Sequence, residues 1–377
     1  MAGHTDTIFA LASGVPPSGV AVVRVSGPGA GKALQALTAG PPPPPRRAML
    51  RSIRDPATGQ LIDKALVLLF RAPASFTGEE VAEIHAHGGP AVVAGILAAL
   101  AGLPGLRPAE AGEFTRRAFL NGRIDLTQAE ALADLIAAET AAQRDQALAG
   151  AEGRLRHRAE AWRARLVALL ADVEADLDFA DEADVAAPRA QADIAVLAEE
   201  LAAVLADAPM GERVRSGLTI AVAGPPNAGK SSLVNALARR EVAIVTPIAG
   251  TTRDVIEVRL DLGGVPATLL DTAGLRDSSD PVEALGIARA RDRAAAADLV
   301  LNLGEGPGLR VVNRIDATGD LPGMRGGVAH VSALTGAGIP ELERWLVDWA
   351  RTQVPKGEPA LVTHERQRYW LGEALAA

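Results

Sequence analysis

The sequence predicts an α/β chain interrupted by a long all-helical middle. Three observations carry this. Short β-branched and apolar runs mix with a helix-length run over the first 120 residues. A proline-free stretch from Ala109 to Ala187 then repeats apolar residues at helical spacing, and strand and helix signals alternate again from about Arg215 to Thr352. At 377 residues the chain is long enough for two to three ordinary domains.

In the first region Gly19–Ser26 (GVAVVRVS) and Ala65–Arg71 (ALVLLFR) read as buried strands, and Ala91–Leu103 as a helix against them. Gly40–Arg47 (GPPPPPRR) is a stiff polyproline turn, a surface loop rather than a motif for a proline-binding partner. In the helical middle, Trp162, Leu166, Leu169, Leu170, Val173 and Leu177 form one apolar stripe. Ile194, Leu197, Leu201, Val204 and Leu205 repeat it after Pro188. Arg154, Arg156, Arg158, Arg163 and Arg165 precede a run of acidic residues, so two readings stand: a patch for an RNA backbone, or ordinary solvated helix faces. In the third region Leu218–Ala223 (LTIAVA) is a strand leading into a glycine-rich turn, and alternating signals beyond it read as βαβ units around a mostly parallel sheet. The segment after Pro355 ends in a helix-like Glu365–Ala377, too short to fold alone.

Composition excludes several chemistries. There is no cysteine, which removes disulfides, thiolate metal sites and cysteine nucleophiles. The net charge of −8 rules out bulk-charge coating of nucleic acid, so any RNA contact must be local. The six histidines show no HExxH spacing. No signal peptide or bilayer-length apolar run is visible, so a cytoplasmic location without membrane contact is expected. Lysine is scarce (Lys32, Lys64, Lys230 and Lys356 alone), so a lysine at a demanding position is informative.

That position is Lys230. Gly224-Pro225-Pro226-Asn227-Ala228-Gly229-Lys230-Ser231 fits the phosphate-binding pattern G-x4-G-K-S/T, with a strand before it and the helical run Ser232–Arg239 after it. Glycines let main-chain N–H groups turn inward around phosphate oxygens, and a helix N-terminus adds positive potential. Lys230 reaches the β- and γ-phosphates, and the Ser231 hydroxyl can ligate Mg²⁺. Asp271-Thr272-Ala273-Gly274 follows the apolar run Ala267–Leu270; its Asp can hold the Mg²⁺ shell and its Gly can let a loop sense the γ-phosphate. Between the two lies Gly250-Thr251-Thr252-Arg253-Asp254, whose threonine can close over the metal. In this order and spacing the three segments indicate a GTPase. Asn313-Arg314-Ile315-Asp316 resembles the guanine-reading N-K-x-D: the Asp accepts from the guanine N1–H and amino group, and Arg314 supplies an apolar stem and a planar cation where Lys is usual. Ser332 and Ala333 would support the base from behind.

These segments resemble the bacterial tRNA-modification GTPases of the MnmE (TrmE) family over nearly the whole chain. The stretches 224–232, 243–254 and 271–276 are close to that family's G-domain. Ser75–Glu83 (SFTGEEVAE), His87–Pro90 (HGGP), Gly112–Arg123 (GEFTRRAFLNGR) and Asp125–Ala131 (DLTQAEA) are more diagnostic, because other P-loop GTPases lack them. The resemblance implies a P-loop GTPase domain inserted in a helical domain and preceded by an N-terminal α/β domain that dimerises and binds folate. The parts would be residues 1–120 for that N-terminal domain, 121–214 for the first helical part, 215–353 for the GTPase domain and 354–377 for the second helical part. It further implies GTP hydrolysis supporting modification at C5 of the wobble uridine of tRNA, together with a flavoprotein partner of the MnmG (GidA) type. Implied cofactors are Mg²⁺, K⁺ and a 5-formyl or methylene tetrahydrofolate.

By motif position, Asn227, Ala228, Gly229, Lys230, Ser231, Ser232, Thr246, Thr251, Thr252, Asp271, Thr272, Ala273, Gly274, Asn313, Arg314, Asp316, Ser332 and Ala333 would bind nucleotide. Asn227, Thr246, Ile248 and Thr251 would surround K⁺, while Ser231 and Thr252 would bind Mg²⁺. Glu283 would orient the attacking water with Lys230 as its catalytic companion, and Arg24, Glu83 and Arg123 would contact folate.

Three departures accompany the resemblance. The family pattern includes a C-terminal cysteine motif, and this sequence has no cysteine. The guanine motif carries Arg314. Leu299–Leu303 and Leu309–Val312 should be parallel neighbours, yet only Gly304–Gly308 separates them, where a parallel crossover normally takes a dozen or more residues. An extended strap without a helix is therefore expected. These departures motivate an alternative function, a folate- and partner-binding scaffold with a weak G-domain. A ribosome-assembly GTPase is a third class, but no GxxG loop of an RNA-binding KH domain is evident.

Overall fold

The computed structural model describes residues 6–178, 186–240, 242–243, 257–271, 295–354 and 358–377. It divides into two compact units, Met1–Ala129 and Glu130–Ala377.

The first unit is built on a six-stranded sheet. Its strands are β1 (Thr7–Leu11), β2 (Ser18–Ser26), β3 (Met49–Arg54), β4 (Leu61–Phe70), β5 (Val81–Gly88) and β6 (Leu106–Pro108), in the order β3-β4-β5-β2-β1-β6. Only β1 and β6 pair in parallel; every other neighbour is antiparallel. The period of two is plain in β4, where Ala65, Val67 and Leu69 are buried while Leu66 faces out. Helices α1 (Ala30–Thr38) and α2 (Pro90–Ala101) cover the inner face with Leu34, Leu37, Ile96 and Leu100. Pro90 opens α2 at a position where its missing N–H costs nothing. Helix α3 (Glu113–Leu120) follows, and α4 (Leu126–Ala137) begins under a cap from Asp125, whose Oδ1 accepts the Gln128 N–H at 2.9 Å.

The second unit holds two cores. One is helical: α5 (Ala141–Ala151), α6 (Arg154–Asp178), α7 (Ala186–Ser216) and the final helix Glu365–Ala376. A reciprocal Thr140–Gln143 capping box starts α5. Trp162 of α6 packs with Leu197 and Leu201 of α7 at the α6–α7 seam, and Leu169 of α6 is also buried. The apolar stripes are narrower than their spacing suggests: Leu166, Leu170 and Ile194 are exposed. The basic run is largely neutralised. Arg154 pairs with Glu358, Arg156 with Glu160, and Arg158 and Arg165 both with Glu200 at 3.0 and 2.7 Å. That pairing favours ordinary helix faces over an RNA patch.

The other core is a seven-stranded sheet: β7 (Leu218–Ala223), β8 (Glu257–Leu262), β9 (Val265–Asp271), β10 (Leu299–Asn302), β11 (Leu309–Val312), β12 (Gly323–Arg325) and β13 (Val328–His330), ordered β12-β13-β11-β10-β7-β9-β8. The five inner strands are parallel and the two edges antiparallel. Helix α8 (Lys230–Ala238) and the helix Ile339–Thr352 bury Leu233, Leu237, Leu342 and Leu346 on one face. Strands β10 and β11 are parallel neighbours joined by Leu303–Gly308 alone, with no helix. The chain leaves the helical core near Ser216 and returns near Val362 at almost the same place. Arg215 Nε donates to the Thr363 carbonyl at 2.9 Å, and a Cβ on Gly211 would lie 2.2 Å from the Val362 carbonyl oxygen.

Candidate functional site

The predicted nucleotide residues that the structure describes gather at the C-terminal ends of the parallel strands. This is where an open α/β sheet places ligands, beside the point at which successive strands depart in opposite directions from β7. The turn from β7 to α8 is shaped by left-handed residues: Gly224 (φ +147°), Asn227 (φ +63°) and Gly229 (φ +90°). Gly229 is the N-cap of α8 and no side chain caps it, so the first N–H groups of the helix remain available to an anion. A Cβ on Gly229 would strike the Asn313 amide at 2.4 Å, so glycine is required there twice over, by conformation and by space. Lys230 Nζ donates to the carbonyls of Gly224 (2.9 Å) and Pro225 (3.0 Å), which fold the ammonium across the turn.

The Asn313–Asp316 loop is clipped to this turn. Asn313 Nδ2 donates to the carbonyls of Ala228 and Gly229 at 3.3 and 3.4 Å, while its Oδ1 accepts from Arg314 N and Ala333 N. Arg314 adopts φ +64° and its guanidinium donates to the Asn227 carbonyl at 2.7 Å. The Ser332 hydroxyl, fully buried, donates to Asp316 Oδ1 at 2.5 Å. That bond leaves Asp316 able to accept from paired donors on a base edge, as guanine presents. Asp271 closes β9 opposite Val222 of β7, 1% exposed and adjacent to the turn. Ser231 and Ser232 lie in the first turn of α8, and a cleft of about 450 Å³ lies between that helix and the Ala333–Gly336 loop. Thr246, Ile248, Thr251, Thr252, Thr272, Ala273, Gly274 and Glu283 lie outside the described residues.

In the first unit, Arg24 and Glu83 stand opposite each other on β2 and β5 and form an ion pair at 2.9 Å. The Arg24 guanidinium lies 5.5 Å from the Phe76 ring and 5.6 Å from the Phe114 ring, and Glu83 also meets His85 Nε2 at 3.2 Å. Arg123 follows α3 with its stem against Gly78, and among the described residues no ion pair joins it to Glu83. Sequence reasoning missed the most buried charge of this unit. Arg117 is fully buried between Glu113 (3.1 Å), Asp6 (2.9 Å) and Glu79 (3.2 Å), and Arg107 braces Glu113 from the other side at 2.6 Å. The Arg107 hydrogen bonds dominate in holding the Glu113 carboxyl down at about 2. The one signal available in the sequence was Glu113 four positions before Arg117, one helical turn away.

The sheet order, the glycine-shaped turn and the loop clipped to it define a P-loop GTPase domain, in a chain that also carries a helical bundle and an α/β unit. Family models agree for the parts they cover: "GTP-binding protein TrmE N-terminus" matches residues 7–123 and "MnmE helical domain" matches 126–377. The chain belongs to the MnmE (TrmE) family of tRNA-modification GTPases. It is 54% identical to the tRNA modification GTPase MnmE of Azorhizobium caulinodans across 100% of this chain and 88% of that protein. It is 53% identical to the MnmE of a Methylobacterium strain across 99% and 88%. A solved chain of Aquifex aeolicus Era bound to GDP·AlF4⁻ is 24% identical over 37% of this chain and 58% of its own, with a TM-score of 0.25.

Proposed function

We propose that the chain hydrolyses GTP to support carboxymethylaminomethyl-type modification at C5 of the wobble uridine of tRNA, in the cytoplasm and with an MnmG-type flavoprotein partner. The observation that carries it is the Gly224–Ser231 turn, with open helix N–H groups, one ammonium and a base-reading loop clipped to its carbonyls. Lys230 exchanges part of its hold on Gly224 and Pro225 for β- and γ-phosphate oxygens, so it follows the charge that develops during phosphoryl transfer. Asn313 fixes the distance between phosphate and base subsites, Arg314 lays its planar group along the base, and Asp316 rejects adenine through mismatched donors. Thr246, Thr251, Thr252, Thr272, Ala273 and Gly274 complete the nucleotide shell and Glu283 orients the attacking water.

The donor chemistry present fits the implied groups. Ser231, with Thr252, would hold Mg²⁺, and Asn227, with Thr246, Ile248 and Thr251, would hold K⁺. Together these ions supply positive charge at the transferring phosphoryl group. Arg24, Glu83 and Arg123 would hold a tetrahydrofolate in the N-terminal domain, where a cation stacked on rings beside a carboxylate suits a flat, donor-rich pterin. That domain would also form the homodimer.

GTP turnover in K⁺ against Na⁺ buffer tests the reading, with faster turnover in K⁺ expected. Mass analysis of tRNA nucleosides from a complemented null strain tests the pathway. The helix-free crossover from β10 to β11 favours one alternative, a folate- and partner-binding scaffold with a weak G-domain. Equal, near-zero turnover in both buffers selects it.

A further inference from the structure

We infer that Asn302 is a positioning residue for the phosphate cradle, acting through the strap Leu303–Gly308. This rests on the reading of Gly224–Ser231 as the GTP site.

Parallel neighbours normally need a crossover of a dozen or more residues, because the chain must return along the whole strand. Here β11 starts opposite Leu301 rather than Leu299, so the return is short and a strap spans it. One side chain closes the strap. Asn302, 6% exposed at the end of β10, accepts the Gly304 N–H on Oδ1 at 2.9 Å and donates from Nδ2 to the Pro307 carbonyl at 3.4 Å. The backbone fits only as glycine at two points. A Cβ on Gly306 would lie 2.5 Å from Asn302 Nδ2, and one on Gly308 would lie 2.2 Å from the Val300 carbonyl; both residues have positive φ.

The strap in turn lies against the start of the phosphate turn. Leu303 N–H donates to the Ala223 carbonyl at 2.8 Å. A Cβ on Gly224 would sit 2.9 Å from Leu303 Cβ, and a Cβ on Gly304 would sit 2.8 Å from Pro225 Cδ. Gly224 and Pro225 supply the two carbonyls that hold Lys230. A continuous line of contact thus runs from the Asn302 amide through Gly304 and Pro225 to the ammonium that grips phosphate. Asn302 touches no nucleotide; it sets where the cradle stands before nucleotide arrives, so its loss should weaken binding of ground and transition states equally.

The test uses the full chain and two variants that disturb the strap from opposite sides. Asn302→Ala removes the closing side chain, and Gly304→Ala drives a methyl into Pro225. For each, KM for GTP and Kd for GTPγS by calorimetry should rise about tenfold, with kcat within about twofold of wild type. The double variant should stand only about tenfold above wild type in total, rather than about a hundredfold, because both act through one strap. Backbone amide exchange at Leu303 should speed up without nucleotide. A merely structural role would instead lower the folded fraction and kcat together while KM held. Wild-type nucleotide affinity in both single variants, or a fully multiplicative double variant, overturns the inference alone. A wild-type chain that binds no GTPγS overturns the phosphate-site reading and the inference with it.

Discussion

In the proposed phosphate site Lys230 would be the one ammonium, since the scarce lysines of this chain put no second one in the turn. Lys230→Ala should abolish measurable GTP binding by calorimetry while leaving the proposed N-terminal dimer intact by light scattering. In the same proposed site Asp316 would carry the base choice. One of its oxygens is oriented by the buried Ser332 hydroxyl, so it presents as a fixed acceptor. Asp316→Asn replaces an acceptor with a donor, and affinity for GTP should fall about a hundredfold while xanthosine triphosphate gains. Competition against a fluorescent guanine nucleotide reads both changes. Arg314 was legible as a member of the Asn313–Asp316 loop beyond β11. Its φ of +64° and its bond to the Asn227 carbonyl were not, since both depend on how close β11 and the phosphate turn come in space.

Elements differ in how openly the sequence declares them. β2, β4, β7, β10 and β11 are apolar enough to be read directly, and α8 is fixed by the phosphate motif before it. β5 (VAEIHAHG) was missed because its outward face carries Glu83, His85 and His87, which hide the buried Val81, Ala82, Ile84 and Ala86. The α6 and α7 stripes overpromised: two helices meeting along one seam bury only the residues on that line, and Leu166, Leu170 and Ile194 fall beside it. Helix α3 shows how a polar element can be held. Its Glu113 and Arg117 tie it to Asp6, Glu79 and Arg107 by charge. Glu113→Gln should cost about 3 kcal/mol in urea unfolding, because Arg117 would be left buried with one partner fewer. The pH dependence has a definite sign. Glu113 falls from an ordinary 4.5 to about 2 on folding, so its contribution is complete above about pH 4.5 and is lost as the pH drops toward 2. The Gln variant should lack that part of the acid transition.

At the scale of the whole molecule, charge bounds what RNA recognition can use. The chain is net acidic, and four of the five arginines between 154 and 165 are ion-paired within the helical core. A basic RNA footprint must therefore be sought elsewhere than in that run. Among the described residues no helix is long and apolar enough to cross a membrane. The separate helical and sheet cores of the second unit predict that the sheet can be excised. Replacing residues 218–354 with a linker of about ten residues should leave the helical core folded, with its circular dichroism and melting retained. The same geometry couples the two cores, beyond the Arg259–Glu139 ion pair that joins them at 2.9 Å. With its entry and exit at Arg215 and Thr363 held together, a folded insertion bridges them at no entropic cost, whereas an unfolded one is a loop roughly fourteen times longer than that linker. Closing such a loop costs about 2 kcal/mol more, so melting of the sheet loosens the helices that host it, and a guanine nucleotide that braces the sheet tightens the bundle from a distance.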